Sequence, residues 1–312
     1  MENNIADKFI DFIITQKCTY RCVYCSQSKA QTKQHNEASP ETIDSFYRLL
    51  DRLEKNYEIT ITGGEALLHP HFFEIIKTTK EKGFKINLIT NLSSKIEQYQ
   101  KIFELLGDKL NRFDVSFHFD EIQNFNLMIE KLELFLITKP HSTKTTFFIP
   151  LFDVNDKKES KIDKIIRIAK KHKINYEFQK IRFLDKYKQA HSEKYESHHK
   201  KLKTFGNLCL AGCNSAVIYE NGEVYRCYSS RFNDSNYLGN INELNFKLDK
   251  SEYPCSNCVC SCPKPAKYNQ ILNEKDYKTA LIDSFKNLSH LPSLIIKNKE
   301  IIIAKLKQLI TM

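Results

Sequence analysis

From residue 8 to residue 181, short apolar runs alternate with longer segments in which apolar residues recur every three or four positions. The short runs predict buried strands, and the longer segments predict helices between them. This alternation is typical of βα units around a parallel sheet. Six strands are predicted, at residues 9–15, 59–62, 84–90, 113–119, 145–151 and 176–183.

Six such units indicate an α/β fold in the form of an open, partial (β/α)6 TIM-like barrel, because a closed barrel needs eight. We therefore assign residues 1–184 to the barrel. The polar segment 185–206 is predicted to be a linker or an exposed helix, and the composition changes after it. A β-hairpin around Asn221 and Gly222 is expected in a small domain at 207–265. Residues 266–312 are predicted to form a helical tail.

Composition places the chain of 312 residues among ordinary globular proteins, with 41% hydrophobic and 28% charged residues. No apolar run approaches the roughly 18 residues of a membrane-spanning helix. The first residues lack the basic and apolar regions of a secretory signal, so we expect a cytoplasmic protein. The formal net charge of +10 fits a solvated lysine-rich surface, and it also fits attraction of an acidic electron donor, an anionic substrate or nucleic acid.

Ten cysteines in a chain without a secretory signal argue for metal ligation rather than a disulfide framework. They fall into two groups, three within residues 18–25 and seven within residues 209–262. This segregation predicts one metal centre near the start of the chain and at least one more near its end.

The first group, Cys18, Cys22 and Cys25, directly follows the first predicted strand with the spacing CxxxCxxC. A structural zinc site needs four ligands, and a 4Fe–4S cluster normally takes four cysteines. Three thiolates on such a cluster leave one iron open to a ligand that is not protein, and Tyr24 places an aromatic ring beside it. A zinc knuckle, a disulfide with a spare thiol, and chance spacing are the alternatives.

The stretch CTYRCVYC resembles the signature CxxxCx(aromatic)C of the radical S-adenosylmethionine (SAM) superfamily. The resemblance implies a partial barrel and a 4Fe–4S cluster whose open iron binds the amino and carboxylate groups of SAM. It also implies reductive cleavage of SAM to a 5′-deoxyadenosyl radical that abstracts a hydrogen atom from substrate. A flavodoxin- or ferredoxin-type protein would supply the electron.

A second motif, Thr62-Gly63-Gly64-Glu65, ends the second predicted strand and resembles the GGE motif of this superfamily. Two glycines allow a backbone to approach a ligand closely, because they carry no Cβ. Exposed carbonyls and the acidic side chain can accept hydrogen bonds from an ammonium group. The resemblance implies that this loop holds the amino group of SAM.

Polar residues at the ends of the third and fourth predicted strands loosely match superfamily positions that face the carboxylate and ribose of SAM. They are Thr90, Asn91, Ser116 and His118. The alternation of the fourth strand predicts that Ser116 and His118 share a face with Asp114. A polar barrel interior without ligand contact is the alternative.

The spacing of Cys209, Gly222 and Cys227 is similar to the opening of SPASM and twitch domains, which carry auxiliary 4Fe–4S clusters. The preferred ligand set for one such cluster is Cys209, Cys227, Cys255 and Cys258. The remaining cysteines, Cys213, Cys260 and Cys262, are spare, alternative or second-cluster ligands, since their spacing departs from the full SPASM pattern. Zinc is the competing interpretation for this half of the chain.

The resemblance implies hydrogen abstraction from a substrate that the sequence does not identify. A polar, sugar-like small molecule is favoured, oxidised or epimerised with the help of the auxiliary cluster, because no room precedes Cys18 for a peptide-recognition domain. The alternatives are a peptide- or protein-modifying maturase, an RNA-modifying enzyme and a non-catalytic electron carrier. Candidates for an acid or base are Asp114, Asp120 and Glu121, and the sequence does not discriminate among them.

Overall fold

In the computed structural model, the described residues are 8–25, 36–151, 155–180, 208–209, 214–228, 237–248 and 253–254. Strands and helices alternate through the first 180 residues. They are β1 (Phe9–Thr15), α1 (Pro40–Arg52), β2 (Glu58–Gly63), α2 (Phe72–Glu81), β3 (Lys85–Thr90), α3 (Ile96–Leu106), β4 (Leu110–Ser116), α4 (Phe125–Thr138), β5 (Thr146–Leu151), α5 (Asp156–Lys171) and β6 (Asn175–Lys180).

All six strands pair in parallel and in sequence order, from β1 to β6. In the described part of the chain β6 has no second neighbour, so the sheet does not close on itself. The prediction of an open, partial (β/α)6 barrel is confirmed. Since all carboxyl ends of parallel strands lie at one edge, the loops after β1, β2, β3 and β4 meet there.

Helix starts and core packing follow from local sequence. The Ser39 hydroxyl accepts a hydrogen bond from the Thr42 amide and caps α1, and Pro40 takes the first helical position. The ring of Phe46 on α1 lies 4.4 Å from the ring of Phe12 on β1. A second aromatic cluster joins α3, α4 and β4, and consists of Tyr99, Phe103, Phe113 and Phe135.

The fourth strand lies three residues earlier than predicted. It begins at Leu110, which pairs with Ile86 of β3, and it ends at Ser116. The chain then turns, with the Glu121 amide donating to the His118 carbonyl at 2.9 Å. The prediction that Ser116 and His118 share one face of this strand is therefore wrong, because the apolar alternation continues into the turn.

The predicted hairpin is present as β8 (Ser215–Ile218) and β9 (Glu223–Tyr225), after the short β7 (Leu208–Cys209). Gly222 in its turn has a φ of +83°, which favours glycine. Residues 217–224 and 239–247 belong to the same compact unit as the barrel. Within that unit, the residues of β8, β9 and β10 (Tyr237–Asn240) that fall in these two ranges extend the sheet beyond β1.

A second compact unit comprises residues 201–216, 225–238 and 248–312. Its described part includes an antiparallel pair between β7 and β11 (Tyr253–Pro254), in which Cys209 is opposite Tyr253. The predicted boundaries at 184, 206 and 265 and the predicted helical tail lie outside the described residues. These domain assignments stay predictions.

Among the described helices, none combines the length and the apolar character needed to cross a membrane.

Candidate active site

The loop that carries Cys18, Cys22 and Cys25 leaves the carboxyl end of β1 directly. Cys22 is 6% exposed, and Cys18 and Cys25 are half-buried. The Cys25 amide donates to the Cys22 carbonyl at 3.0 Å, which closes a tight turn. None of these three cysteines takes part in a disulfide in the described part of the chain.

The thiols of this loop lie close enough to affect one another. Burial, together with the negative charges of Glu121, Cys25 and Cys18, raises the pKa of Cys22 to about 12. Burial also raises the pKa of Cys18, with Glu65 and Cys25 adding to the effect. Metal ligation requires thiolates, so binding of a metal centre here would release protons.

Gly63 and Gly64 lie against the backbone of the cysteine loop. The Gly64 amide donates to the Thr15 carbonyl and the Glu65 amide to the Lys17 carbonyl, both at 2.8 Å. A Cβ on Gly64 would lie only 2.7 Å from the Lys17 carbonyl carbon. The sequence suggested glycines for close approach to a ligand, and the structure shows a further reason, which is close approach of the two loops.

The Glu65 side chain is 1% exposed and connects the GGE loop to the end of β3. Its carboxylate accepts from the Asn91 amide at 2.8 Å and from the Thr90 hydroxyl at 3.1 Å. The Thr90 hydroxyl also lies 3.2 Å from the Tyr99 hydroxyl. Burial raises the pKa of Glu65 to about 7, although these hydrogen bonds lower it. Glu65 and Thr90 thus bond to each other within the protein.

Asn91 connects the end of β3 to the cysteine loop. Its side-chain amide nitrogen, Nδ2, lies 3.5 Å from the Cys18 sulfur and 3.1 Å from the Thr19 hydroxyl oxygen. The Thr19 hydroxyl in turn donates to the Ser93 hydroxyl at 2.7 Å. The predicted site residue Asn91 is therefore in contact with a predicted cluster ligand, and Thr19 joins it without having been predicted.

Lys131 on α4 holds the loop that follows Asn91. Its ammonium group donates to the carbonyls of Leu92, Ser93 and Ser94 at 3.2, 3.3 and 2.8 Å. Leu92 is buried with a left-handed φ of 59°. The sequence did not indicate this contact, because α3 and β4 separate Lys131 from residues 92–94 along the chain.

Tyr24 and His118 pack together beside the cysteines. Their rings stack with centroids 5.9 Å apart, and the Tyr24 hydroxyl lies 3.0 Å from His118 Nδ1. The Tyr20 ring meets the His118 ring edge-on, with centroids 6.0 Å apart. Burial lowers the pKa of His118 to about 4, so its imidazole is neutral near pH 7. The two predicted site residues Tyr24 and His118 are brought together although 94 positions separate them.

Thr62 and Ser116 lie at the same edge of the sheet, at the carboxyl ends of β2 and β4. Thr62 is buried and pairs with Ile13 of β1. Ser116 is half-buried and pairs with Phe148 of β5. Their places agree with a site at this edge, and their contact with SAM stays a prediction.

Each of the three candidates for an acid or base has a hydrogen-bond or ion-pair partner within the protein. Arg112 donates to Asp114 at 3.1 Å, and burial raises the pKa of Asp114 to about 6. Lys158 pairs with Asp120 at 2.7 Å. Glu121 accepts from the Arg21 amide at 3.0 Å, which links it to the cysteine loop.

The donor set of the loop suits an iron–sulfur cluster better than a single ion. No three Cys, His, Asp or Glu side chains of the described residues converge on a point that could hold one metal ion. A zinc site needs four ligands around one ion, whereas each cysteine of a cluster binds a different iron. The three neighbouring thiols of this loop, next to a loop of two glycines, fit a cluster with one open iron.

The auxiliary cysteines lie almost entirely beyond what the structure describes. Cys227 is half-buried and follows β9, and it forms no disulfide with another described cysteine. Cys209 is placed by its backbone in β7. The other predicted ligands, Cys255 and Cys258, lie outside the described residues, as do Cys213, Cys260 and Cys262.

Residues 12–121 match the family model described as the radical SAM superfamily. The match runs from within β1 to beyond the end of β4, and it includes the cysteine loop and the GGE loop. Residues 12–121 form a radical SAM domain. In this radical SAM domain, the cysteine loop and the GGE loop are the two motifs by which the sequence resembles the superfamily.

Curated relatives match over part of their length. A probable GTP 3′,8-cyclase of Thermococcus kodakarensis is 31% identical over 105 residues, which are 34% of this chain and 33% of that protein. An S-adenosylmethionine-dependent nucleotide dehydratase of Psychrobacter lutiphocae is 27% identical over 179 residues, 53% of this chain and 58% of that protein. The chain thus spans between a third and three-fifths of the length of these relatives.

Among solved structures, native anSMEcpe with bound AdoMet and Cp18Cys peptide has a TM-score of 0.53 and 15% identity. The match covers 76% of this chain and 78% of that one. At this identity the likeness supports the fold alone, which is the open parallel barrel of radical SAM proteins.

Proposed function

We propose that this radical SAM protein is an enzyme whose 4Fe–4S cluster is bound by Cys18, Cys22 and Cys25. When bound there, the cluster and SAM supply one-electron cleavage of SAM to methionine and a 5′-deoxyadenosyl radical, which takes a hydrogen atom from substrate. The electron comes from a flavodoxin- or ferredoxin-type donor. The observation that carries the proposal is the direct backbone contact between the cysteine loop and Gly64.

The residues around the loop orient it and keep water away. Glu65 and Asn91 tie the GGE loop, the end of β3 and Cys18 into one hydrogen-bonded unit. A closed site that excludes water matters because it prevents side reactions, in which a carbon radical attacks accessible groups other than its substrate. His118 is neutral near pH 7 and faces the Tyr24 hydroxyl with Nδ1, which leaves Nε2 to bond a polar atom of a bound molecule.

SAM itself is expected along this same edge. The backbone of Thr62, Gly63 and Gly64 takes the amino group, and the ends of β3 and β4 take the carboxylate and ribose. Because the Glu65 carboxylate already accepts bonds from Thr90 and Asn91, we assign it to positioning of the loop rather than to direct contact with the ammonium group.

The substrate is proposed to be a small polar molecule that carries a sugar, and the net reaction an oxidation or epimerisation. Relatives whose names specify a nucleotide substrate support the small-molecule class over a peptide. An auxiliary cluster bound by Cys209, Cys227, Cys255 and Cys258 would accept the electron that such an oxidation releases. Glu121 and Asp120 lie close to the loop but already have partners.

The test is anaerobic reconstitution of the full chain with iron and sulfide, followed by reduction with dithionite in the presence of SAM. We expect 5′-deoxyadenosine, and about eight irons per chain if each of two clusters holds four. Cys22→Ala should abolish deoxyadenosine formation, whereas the matched variant Cys227→Ala should retain it and lose auxiliary iron. Zinc at the loop, or unchanged cleavage in Cys22→Ala, would refute the proposal.

The substrate class has its own experiment. Nucleotides and sugars deuterated on the ribose or hexose ring are supplied to the reconstituted enzyme, and deuterium in 5′-deoxyadenosine is measured by mass spectrometry. We expect transfer from one of these molecules. Transfer only from a labelled peptide would contradict the small-molecule assignment while leaving the radical SAM activity in place.

A further inference from the structure

The turn between β4 and α4 places a carboxylate against the cysteine loop. Glu121 Oε2 accepts a hydrogen bond from the backbone amide of Arg21 at 3.0 Å. Arg21 lies between Cys18 and Cys22 in the sequence. Glu121 therefore bonds to the stretch of backbone that connects two of the proposed cluster ligands.

The charge of this carboxylate is not balanced by a cation. In the part of the chain that the structure describes, no ion pair includes Glu121. The Arg21 guanidinium donates instead to the Cys18 carbonyl at 3.4 Å. Burial raises the pKa of Cys22, and among the charged groups that raise it further Glu121 contributes more than either neighbouring thiol. The carboxylate is thus close enough to act electrostatically on the sulfur atoms of the loop.

The turn that carries Glu121 is held in place independently of this hydrogen bond. Asp120 pairs with Lys158 of α5 at 2.7 Å, and the Lys158 side chain is only 8% exposed. The Glu121 amide donates to the His118 carbonyl at 2.9 Å, and the next residue, Ile122, is buried. Because the backbone on both sides of Glu121 is anchored, the carboxylate is presented to the cysteine loop from a fixed position.

An acidic residue shortly before a helix can also be explained by the helix dipole, which favours anions at an amino terminus. In α4, however, the capping position belongs to Asn124, whose side chain accepts from the Leu127 amide at 3.0 Å. Glu121 lies before this cap and bonds to a different loop. The dipole therefore does not account for the bond between Glu121 and Arg21.

We propose that Glu121 is a positioning residue that lowers the reduction potential of the cluster assigned to Cys18, Cys22 and Cys25, an inference that rests on the proposed function. Its negative charge opposes the electron that the cluster receives from the donor protein. By accepting the Arg21 amide, it also withholds that hydrogen-bond donor from the cluster sulfurs. Net charge and hydrogen bonds to the sulfurs both set such potentials, and a lower potential makes a stronger reductant of SAM.

The test is a redox titration of the reconstituted full chain, followed by electron paramagnetic resonance. The signal from the cysteine loop is identified by its change when SAM is added. Glu121→Gln removes the charge and keeps an acceptor for the Arg21 amide. We expect the cluster of this variant to be about tenfold easier to reduce, which is a rise of about 59 mV for one electron. Two charges about 10 Å apart at an effective dielectric constant of about 20 give an effect of this order.

Glu130→Gln is the matched control, because it removes an exposed charge further along α4, and its potential should equal that of the wild type. Hydrogen exchange of the protein without its cluster then separates the bond from the charge. The Arg21 amide should exchange about tenfold faster in Glu121→Leu than in the wild type, the effect of one lost hydrogen bond. Glu121→Gln should retain most of the protection.

The outcomes distinguish this role from the proposed function. An unchanged potential in Glu121→Gln, or an equal rise in Glu130→Gln, would overturn the role of Glu121 in protein that still forms 5′-deoxyadenosine. Equal exchange of the Arg21 amide in the wild type and Glu121→Leu would overturn its positioning of the loop. A wild type that assembles no cluster at the loop would refute the proposed function, and the role of Glu121 with it.

Discussion

The contact between Gly64 and the cysteine loop leads to a quantitative prediction for Gly64→Ala. The new Cβ would lie 2.7 Å from the Lys17 carbonyl carbon and 2.8 Å from the Gln16 carbonyl oxygen. These are backbone atoms and cannot rotate away, so one of the two loops must move. Movement would also break the hydrogen bonds from the Gly64 and Glu65 amides.

The cost can be estimated from these losses. Overpacking of a filled site costs about 1–3 kcal/mol, and each of the two hydrogen bonds contributes about 1 kcal/mol. We therefore expect Gly64→Ala to lower the free energy of unfolding by about 4 kcal/mol, a large part of the stability of a typical domain.

The assay is equilibrium urea unfolding of the full chain together with hydrogen exchange of the Glu65 amide. Gly107→Ala is the matched control, because a Cβ there has no atom within 4 Å and meets only the strain of a φ of +53°. With a ψ of −125°, that backbone conformation is one that glycine adopts far more readily than alanine, and the strain costs about 1–3 kcal/mol. Only Gly64→Ala should expose the Glu65 amide to exchange. A loss below 1 kcal/mol, or retained protection of that amide, would refute the reasoning.

Three further predictions concern residues around the same loop. The folded protein holds the Glu65 proton up to pH about 7, whereas the unfolded carboxyl loses it near 4.5. The free energy of unfolding should thus fall by about 3 kcal/mol over that pH range, and urea titrations of Glu65→Gln should lack this decrease. Lys131→Met should cost about 2 kcal/mol, the effect of a hydrogen-bonded charge, and speed hydrogen exchange at residues 92–94. Tyr24→Phe should leave His118 Nδ1 without its hydroxyl partner and cost about 1 kcal/mol; an unchanged unfolding midpoint would contradict the bond.

Much of this protein could be predicted from local pattern. The apolar runs predicted six parallel strands, and the observed strands differ from them by a few residues at their ends. The Asn221-Gly222 turn was predicted by residue type alone, since Gly222 takes a positive φ. Placement of Tyr24 and Asn91 at one edge followed from topology, because the carboxyl ends of parallel strands must meet.

Contacts across the fold could not be predicted in this way. The bonds of Glu65 to Asn91 and of Lys131 to residues 92–94 join residues distant in sequence, and no periodicity indicates them. His118 was predicted to lie on the fourth strand, but it lies in the turn that follows it. Hydrophobic alternation does not reveal the residue at which hydrogen bonding to the neighbouring strand stops. Sequence pattern determines which residues are buried along each element, whereas hydrogen bonds between elements depend on a register that only tertiary packing sets.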